Sequence, residues 1–182
     1  MSRDLDASVL RRPAKFAHFV LRVRNLEESI AWYQTVLGMQ IVHRHAKLAF
    51  LTYDEEHHRL AMFETPVKDA TLPGSAGLDH VAYTMASLGD LLATYERLKG
   101  KGIAPVWPIN HGPTTSLYYA DPDGNRVELQ YDNFPTEAEL KGWFQSGTFA
   151  KNPIGVVFDP ERLVARYRAG DPLEELVQQG SA

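Results

Sequence analysis

The chain of 182 residues contains no cysteine. That absence excludes disulfides, cysteine-ligated zinc or iron–sulfur centres, and thiol nucleophiles. No apolar run approaches the ~20 residues that span a bilayer. There is no basic run either: 19 Lys and Arg stand against 23 Asp and Glu, a formal charge of −4. Nucleic-acid binding needs a basic footprint and is not expected. The opening residues, Met1-Ser-Arg-Asp-Leu-Asp6, place acids where a secretory signal needs bases, and no apolar stretch follows. These features predict a soluble, cytoplasmic protein with neither a membrane nor a nucleic acid as partner. Seven histidines and eight tyrosines remain for metal binding and acid–base work. The length suits one domain and can bury a core without staples.

An internal repeat organises the chain. Phe16–Gly38 aligns with Leu78–Gly100 at an offset of 62, superposing His18 on His80, Asn25 on Ser87, Leu26 on Leu88, Ile30 on Leu92, Tyr33 on Tyr95 and Gly38 on Gly100. Each copy predicts a strand with an inward histidine and a capping box at Asn25 or Ser87. A helix follows, with apolar residues at 26, 30, 33, 37 or at 88, 92, 95, the second stripe shifting to Leu98 because Lys99 is charged. A glycine then suits a left-handed C-cap. Further strands are expected over 40–44, 46–53 and 59–64, and over 103–107, 116–120 and 126–131. Asp121-Pro-Asp-Gly-Asn125 forms the last turn. The fold class is therefore α+β: two fused β-α-β-β-β modules with pseudo-twofold symmetry, at 15–66 and 78–132. A flexible arm over 1–14 and a linker over 67–77 complete this part.

Residues 133–182 read as a helical C-terminal extension. Thr136-Glu-Ala-Glu139 opens one helix, and Asp159-Pro160 and Asp171-Pro172 open two more, closed by Gly170 and Gly180. Trp143, Phe144, Phe149 and Phe158 point to packing on the core or a subunit contact rather than to closing a site.

His18 and His80 share one register of two related strands, so both can face one cleft. Asn125-Arg-Val-Glu128 aligns with His58-Arg-Leu-Ala61 at an offset of 67, so five extra residues fall in the second half, around Asn110–Thr115. Glu128 thus occupies a fourth-strand position whose counterpart is Ala61. Two imidazoles and one carboxylate form the facial set of mononuclear non-haem iron(II) oxygenases, which leaves about three octahedral positions open.

The paired modules resemble the vicinal-oxygen-chelate superfamily over about residues 14–132. Ile109-Asn-His111, five residues, Leu117-Tyr118, two residues, Asp121-Pro122-Asp-Gly124, three residues and Glu128 are similar to the signature of type I extradiol ring-cleavage dioxygenases. This resemblance implies a catechol-type diol opened beside its oxygens by dioxygen, yielding a semialdehyde or keto acid in aromatic catabolism. It implies iron(II) on His18, His80 and Glu128, although the same hard ligands suit manganese(II). His111 and Tyr118 would hydrogen-bond substrate or oxygen. His58, in His58-Arg-Leu-Ala61, would serve as base and then acid, with His57 as its rival. The resemblance further implies a small, single-domain member that assembles as a homo-oligomer.

Two other readings share the fold. A glyoxalase-like lyase or isomerase uses a fourth ligand, a carboxylate where Ala61 stands, and Glu64 could replace it only through a register slip. A metal-free binding protein has no reason to keep His18, His80, Glu128, His111 and Tyr118 together. Trp107, Phe50, Met62 and Phe63 would suit a bulky apolar ring or the core, and His43 and His45 belong to no motif.

Overall fold

The computed structural model describes residues 12–66 and 77–182. Most of the expected arm and nearly all of the expected linker lie outside the described residues. The chain divides into two compact units between Lys68 and Asp69.

The first unit comprises β1 (Phe19–Val23), α1 (Leu26–Leu37), β2 (Gln40–His45), β3 (Leu48–Thr52) and β4 (Leu60–Glu64), with sheet order β1-β4-β3-β2. Helix α1 starts where the Asn25 side chain accepts from the Glu28 N–H, and it ends at left-handed Gly38. Its buried stripe is Leu26, Ile30, Tyr33 and Val36, so Val36 replaces the expected Leu37. The helix packs on β3 and β4, beside the fully buried Leu51, Leu60 and Met62.

The second unit repeats this plan with β5 (His80–Thr84), α2 (Leu88–Lys99), β6 (Trp107–Asn110), β7 (Thr114–Ala120) and β8 (Arg126–Asp132). It continues into α3 (Glu137–Gln145), α4 (Thr148–Lys151), β9 (Val156–Val157), α5 (Pro160–Ala169) and α6 (Leu173–Leu176). The sheet order is β5-β8-β7-β6-β9. The C-terminal extension therefore belongs to this unit, and its β9 adds an edge strand that the sequence pattern did not announce.

The ladders reproduce the repeat. Val20 pairs with Ala61 in the parallel β1–β4 ladder, and Ala82 pairs with Glu128 in the parallel β5–β8 ladder. These pairs are related by the same offsets of 62 and 67 read from the sequence. The extra residues are distributed differently, however. Phe50 opposes Ala61, whereas Tyr118 opposes Glu128 one residue closer along the chain. The β7–β8 turn is therefore one residue shorter than the β3–β4 turn. His43 opposes Phe50 and Trp107 opposes Tyr118, so the β6–β7 hairpin is four residues longer than its counterpart. Two further residues precede β6.

Those two residues explain a boundary error. A strand was expected over 103–107, but β6 begins at Trp107. The Lys101 N–H bonds to the Leu98 carbonyl and the Gly102 N–H to the Lys99 carbonyl, both at 2.9 Å, which prolongs the turn after α2. Gly100 consequently stays right-handed, and Gly102 takes the positive φ of 76°. At the last helix, Asp171 does not cap: its carboxylate accepts from Arg166 Nε at 2.5 Å, and Pro172 holds the N-cap position. Helix α6 closes at Val177, well before Gly180.

Tyr119 is fully buried in β7, and its hydroxyl has no hydrogen-bond partner among the described residues. A buried, unsatisfied hydroxyl costs about 1–3 kcal/mol. Tyr119→Phe is expected to stabilise the protein by about 1 kcal/mol, raising the denaturant midpoint at unchanged slope; a lower midpoint would show that the hydroxyl has a partner in solution.

Candidate active site

The register places corresponding residues on one face of each sheet. In the second unit that face carries His80, Ala82, Glu128, Tyr118 and Trp107. In the first it carries Val20, Ala61, Phe50 and His43, and His18 stands just before β1. Parallel partners lie side by side and antiparallel partners lie opposite, so these side chains leave their sheet in one direction.

Glu128 is 4% exposed, and its Oε2 lies 3.1 Å from His80 Nε2. The other ring nitrogen, His80 Nδ1, lies 2.7 Å from Asp79 Oδ2. A carboxylate only accepts, so Nδ1 donates to Asp79, and Nε2 meets Glu128 either as a second donor or, deprotonated, across a shared cation. Two donor atoms facing each other suit a shared cation, and a carboxylate on the far imidazole nitrogen is the usual support of a metal-ligating histidine. The His80 hydrogen bond and then the Arg126 charge hold the Asp79 carboxyl below the ordinary carboxylate range.

Tyr118 lies edge-on to His80, with ring centroids 5.1 Å apart. Burial first, then the charge and hydrogen bond of Glu128, push its phenol far above the ordinary tyrosine value, so it remains a protonated donor. His111 Nε2 is 3.1 Å from the Tyr118 hydroxyl. Trp107 rests against both rings, with centroids 5.0 Å from Tyr118 and 5.7 Å from His111.

In the first unit, His18 precedes β1, with His58 4.3 Å and His57 6.2 Å from its ring. His58 stacks on Phe50 at 4.5 Å with rings 11° from parallel. His57 Nδ1 and His58 Nδ1 are 2.7 Å apart, but His57 is an exposed residue, 3.6 Å from Glu56. Desolvation first, then the charges of His18 and His57, lower the His58 pKa, against Glu56.

One pair of functional residues was missed. Arg59 and Arg126 are repeat counterparts, and each holds the residue before a histidine. Arg59 Nη1 donates to the carbonyls of Phe16, at 2.5 Å, and Ala17, at 3.1 Å, while Asp54 grips its other nitrogens. Arg126 pairs with Asp79. The Arg shared by His58-Arg-Leu-Ala61 and Asn125-Arg-Val-Glu128 was the available signal.

His80, Glu128, Tyr118 and His111 thus come together within the second unit, and His18 with His58 within the first. Among the described residues, no three His, Asp or Glu side chains form a ready metal cluster. Glu64, weighed as a fourth ligand, accepts instead from the Leu26 N–H at 3.3 Å, and its pairing with Val23 shows no register slip. Met62 belongs to the core and Phe63 is exposed. A cavity of about 830 Å³ lined by Phe134, Trp143 and Glu174 shares only Gly112 with the hairpin of His111; lacking His80, Tyr118 and Glu128, it is not the diol pocket. No helix among the described residues is long and apolar enough to cross a membrane.

The family model of the Glyoxalase/Bleomycin resistance protein/Dioxygenase superfamily matches residues 15–129. The chain is 48% identical to "Biphenyl-2,3-diol 1,2-dioxygenase 2" of Rhodococcus globerulus, over 89% of this chain and 86% of that one. It is 44% identical to "Biphenyl-2,3-diol 1,2-dioxygenase 3" of the same organism, over 92% and 90%. A crystal structure of lactoylglutathione lyase from Agrobacterium tumefaciens shares the fold, with a TM-score of 0.54, 22% identity and coverage of 66% and 96%.

Proposed function

The chain belongs to the Glyoxalase/Bleomycin resistance protein/Dioxygenase superfamily, within which it is an extradiol ring-cleavage dioxygenase of catechol-type diols, and we propose that its metal is iron(II) held by His18, His80 and Glu128. The observation that carries the ligand set is the His80–Glu128 pair. A buried carboxylate meets an imidazole nitrogen whose partner nitrogen is already committed to Asp79. His18 is added by the repeat, which gives it the position of His80 in a second copy of the strand. Ala61 stands where a fourth ligand would be.

When bound, such an ion supplies open positions on which a diol and dioxygen meet, and electron transfer between them. The protein's own groups do the rest. Tyr118, held as a phenol, donates a hydrogen bond to an oxygen of the bound reactants. His111 offers Nε2 beside it. His58 takes the second hydroxyl proton of the diol and later returns it as the ring opens. Trp107, beside Tyr118, offers flat apolar surface to an aromatic ring, which favours an aryl-substituted catechol such as biphenyl-2,3-diol over catechol itself. The two Rhodococcus globerulus relatives are named for biphenyl-2,3-diol, in keeping with this choice.

The test is anaerobic purification with metal analysis, followed by assay in air against catechol and biphenyl-2,3-diol. About one iron per chain and a coloured ring-opened product are expected, with higher kcat/KM for the biaryl diol. Stoichiometric manganese would correct the metal alone. A nickel or zinc protein inert toward catechols would overturn the reading in favour of a lyase.

A further inference from the structure

We propose that the C-terminal extension is the positioning element of His111, fixing which imidazole nitrogen exchanges a proton during turnover. The proposal rests on the reading of His111 as a partner of the diol or dioxygen. His111 sits in the β6–β7 hairpin, on neither a helix nor a strand. An imidazole there has two tautomers and two ring orientations available to it. The extension removes that freedom. The Ile154 carbonyl lies 2.5 Å from His111 Nδ1, and a carbonyl oxygen only accepts. Nδ1 therefore carries a fixed proton, and the hydrogen bond at one nitrogen decides the role of the other. Nε2, facing the Tyr118 hydroxyl at 3.1 Å, is left as the atom that takes up and releases a proton.

The carbonyl is itself held in place. Asn152 Oδ1 accepts from the Gly155 N–H at 3.0 Å and the Ile154 N–H at 3.3 Å, and Asn152 Nδ2 donates to the Gly155 carbonyl at 2.8 Å. Gly155 has a φ of +115°, and a Cβ there would lie 2.8 Å from His111 Cα, closer than real Cβ contacts come. Only glycine lets the two backbones approach this closely. Directly after it, Val156 pairs with Asn110 and Val157 with Ile109. The residues flanking His111 are tied to the extension as well. Asn110 Nδ2 donates to the Val177 carbonyl at 2.8 Å, and its own carbonyl accepts from Gln179 Nε2 at 3.1 Å. Gly112 lies under the Trp143 ring, which fills the space a Cβ would need.

Burial argues that this clip is not a packing device. Ile154 and Val157 are 59% and 60% exposed, so residues 154–157 add little apolar burial. What they contribute is backbone: two ladder positions and one carbonyl aimed at an imidazole.

The test uses the full chain with Asn152→Ala, which disturbs the Ile154 carbonyl without touching Ile154, His111 or Tyr118, and with Gly155→Ala, whose Cβ pushes the extension's backbone away from Asn110 and His111. ¹⁵N NMR of the protein charged with diamagnetic zinc(II) reads the His111 tautomer directly. The wild type should show the Nδ1–H form alone, and both variants a mixture. In the iron-loaded enzyme their kcat should fall about 10–100-fold with KM within about twofold. Asn152→Asp, which keeps the acceptor for both N–H groups, should recover most of the activity. A melting curve confirms that each variant is folded. An Nε2–H tautomer in the wild type, or folded variants that lose activity with the tautomer unchanged, would overturn the proposal. The NMR reading holds even if the protein opens no catechol, so failure of the positioning role and failure of the proposed function are distinguishable.

Discussion

Glu128→Ala should empty the metal site. Anaerobically purified protein is expected to fall from about one iron per chain to near none, with kcat/KM lower by on the order of 10³-fold or more. Glu128 is the carboxylate of the proposed set, and its Oε2 lies 3.1 Å from His80 Nε2. Removing it leaves only neutral imidazoles for a hard dication, with nothing to offset its charge. The substitution also makes the second unit resemble the first, since Ala61 is the residue at the corresponding position of β4. The first unit shows that a methyl group at this ladder position is compatible with the sheet. Because Glu128 is buried, a companion Glu128→Gln separates loss of charge from loss of volume: it should fold as the wild type does and still bind iron poorly. His80→Ala should behave like Glu128→Ala. Stoichiometric iron in folded Glu128→Ala would remove Glu128 from the ligand set.

Much of this site was legible in the sequence because it was written twice. The offsets of 62 and 67 reappear as ladder pairs, Val20 with Ala61 and Ala82 with Glu128. Capping by Asn25, Ser87, Thr136 and Asp159 could likewise be read locally, since a cap needs only a short polar side chain and the N–H groups two or three residues on. What could not be read was decided by partners distant in the chain. The start of β6 depends on how many residues the turn after α2 consumes. The two-residue β9 has no periodicity of its own and exists because the edge of β6 offers unpaired backbone groups. Asp171 carries every local mark of an N-cap, yet Arg166 takes its carboxylate. The hold of Arg59 on Phe16 and Ala17 spans more than forty residues, and the Ile154 contact with His111 is equally remote. Local chemistry predicts which groups need partners; it does not say which of several eligible partners arrives.

The choice between His57 and His58 is of this second kind, and the geometry leads to a prediction with an effect of similar size. His58→Ala should leave iron stoichiometric and lower kcat by about 10²–10⁴-fold, the range for loss of a general acid–base group. His57→Ala should change kcat by less than about tenfold, the residue being outside the reacting shell. The two side chains are adjacent in sequence but differently placed. His58 is half-buried, stacked on Phe50 and 4.3 Å from the ring of His18, so its distance from a metal-bound hydroxyl is set by rigid neighbours. His57 is exposed, and its Nε2 faces Glu56 rather than the face that carries His18. A base must lie within hydrogen-bond reach of the proton it removes, and an exposed imidazole pays in rotamer entropy whenever it is brought there. Loss of the His57 ring should also free His58 Nδ1 from the 2.7 Å contact between them, which permits a modest effect without a catalytic role. Single-turnover mixing of anaerobic enzyme–diol complexes with oxygenated buffer distinguishes the two. His58→Ala should slow the chemical phase, whereas His57→Ala should leave it near wild type. The reverse pattern would transfer the acid–base role to His57. Iron lost together with activity in His58→Ala would instead make His58 a ligand.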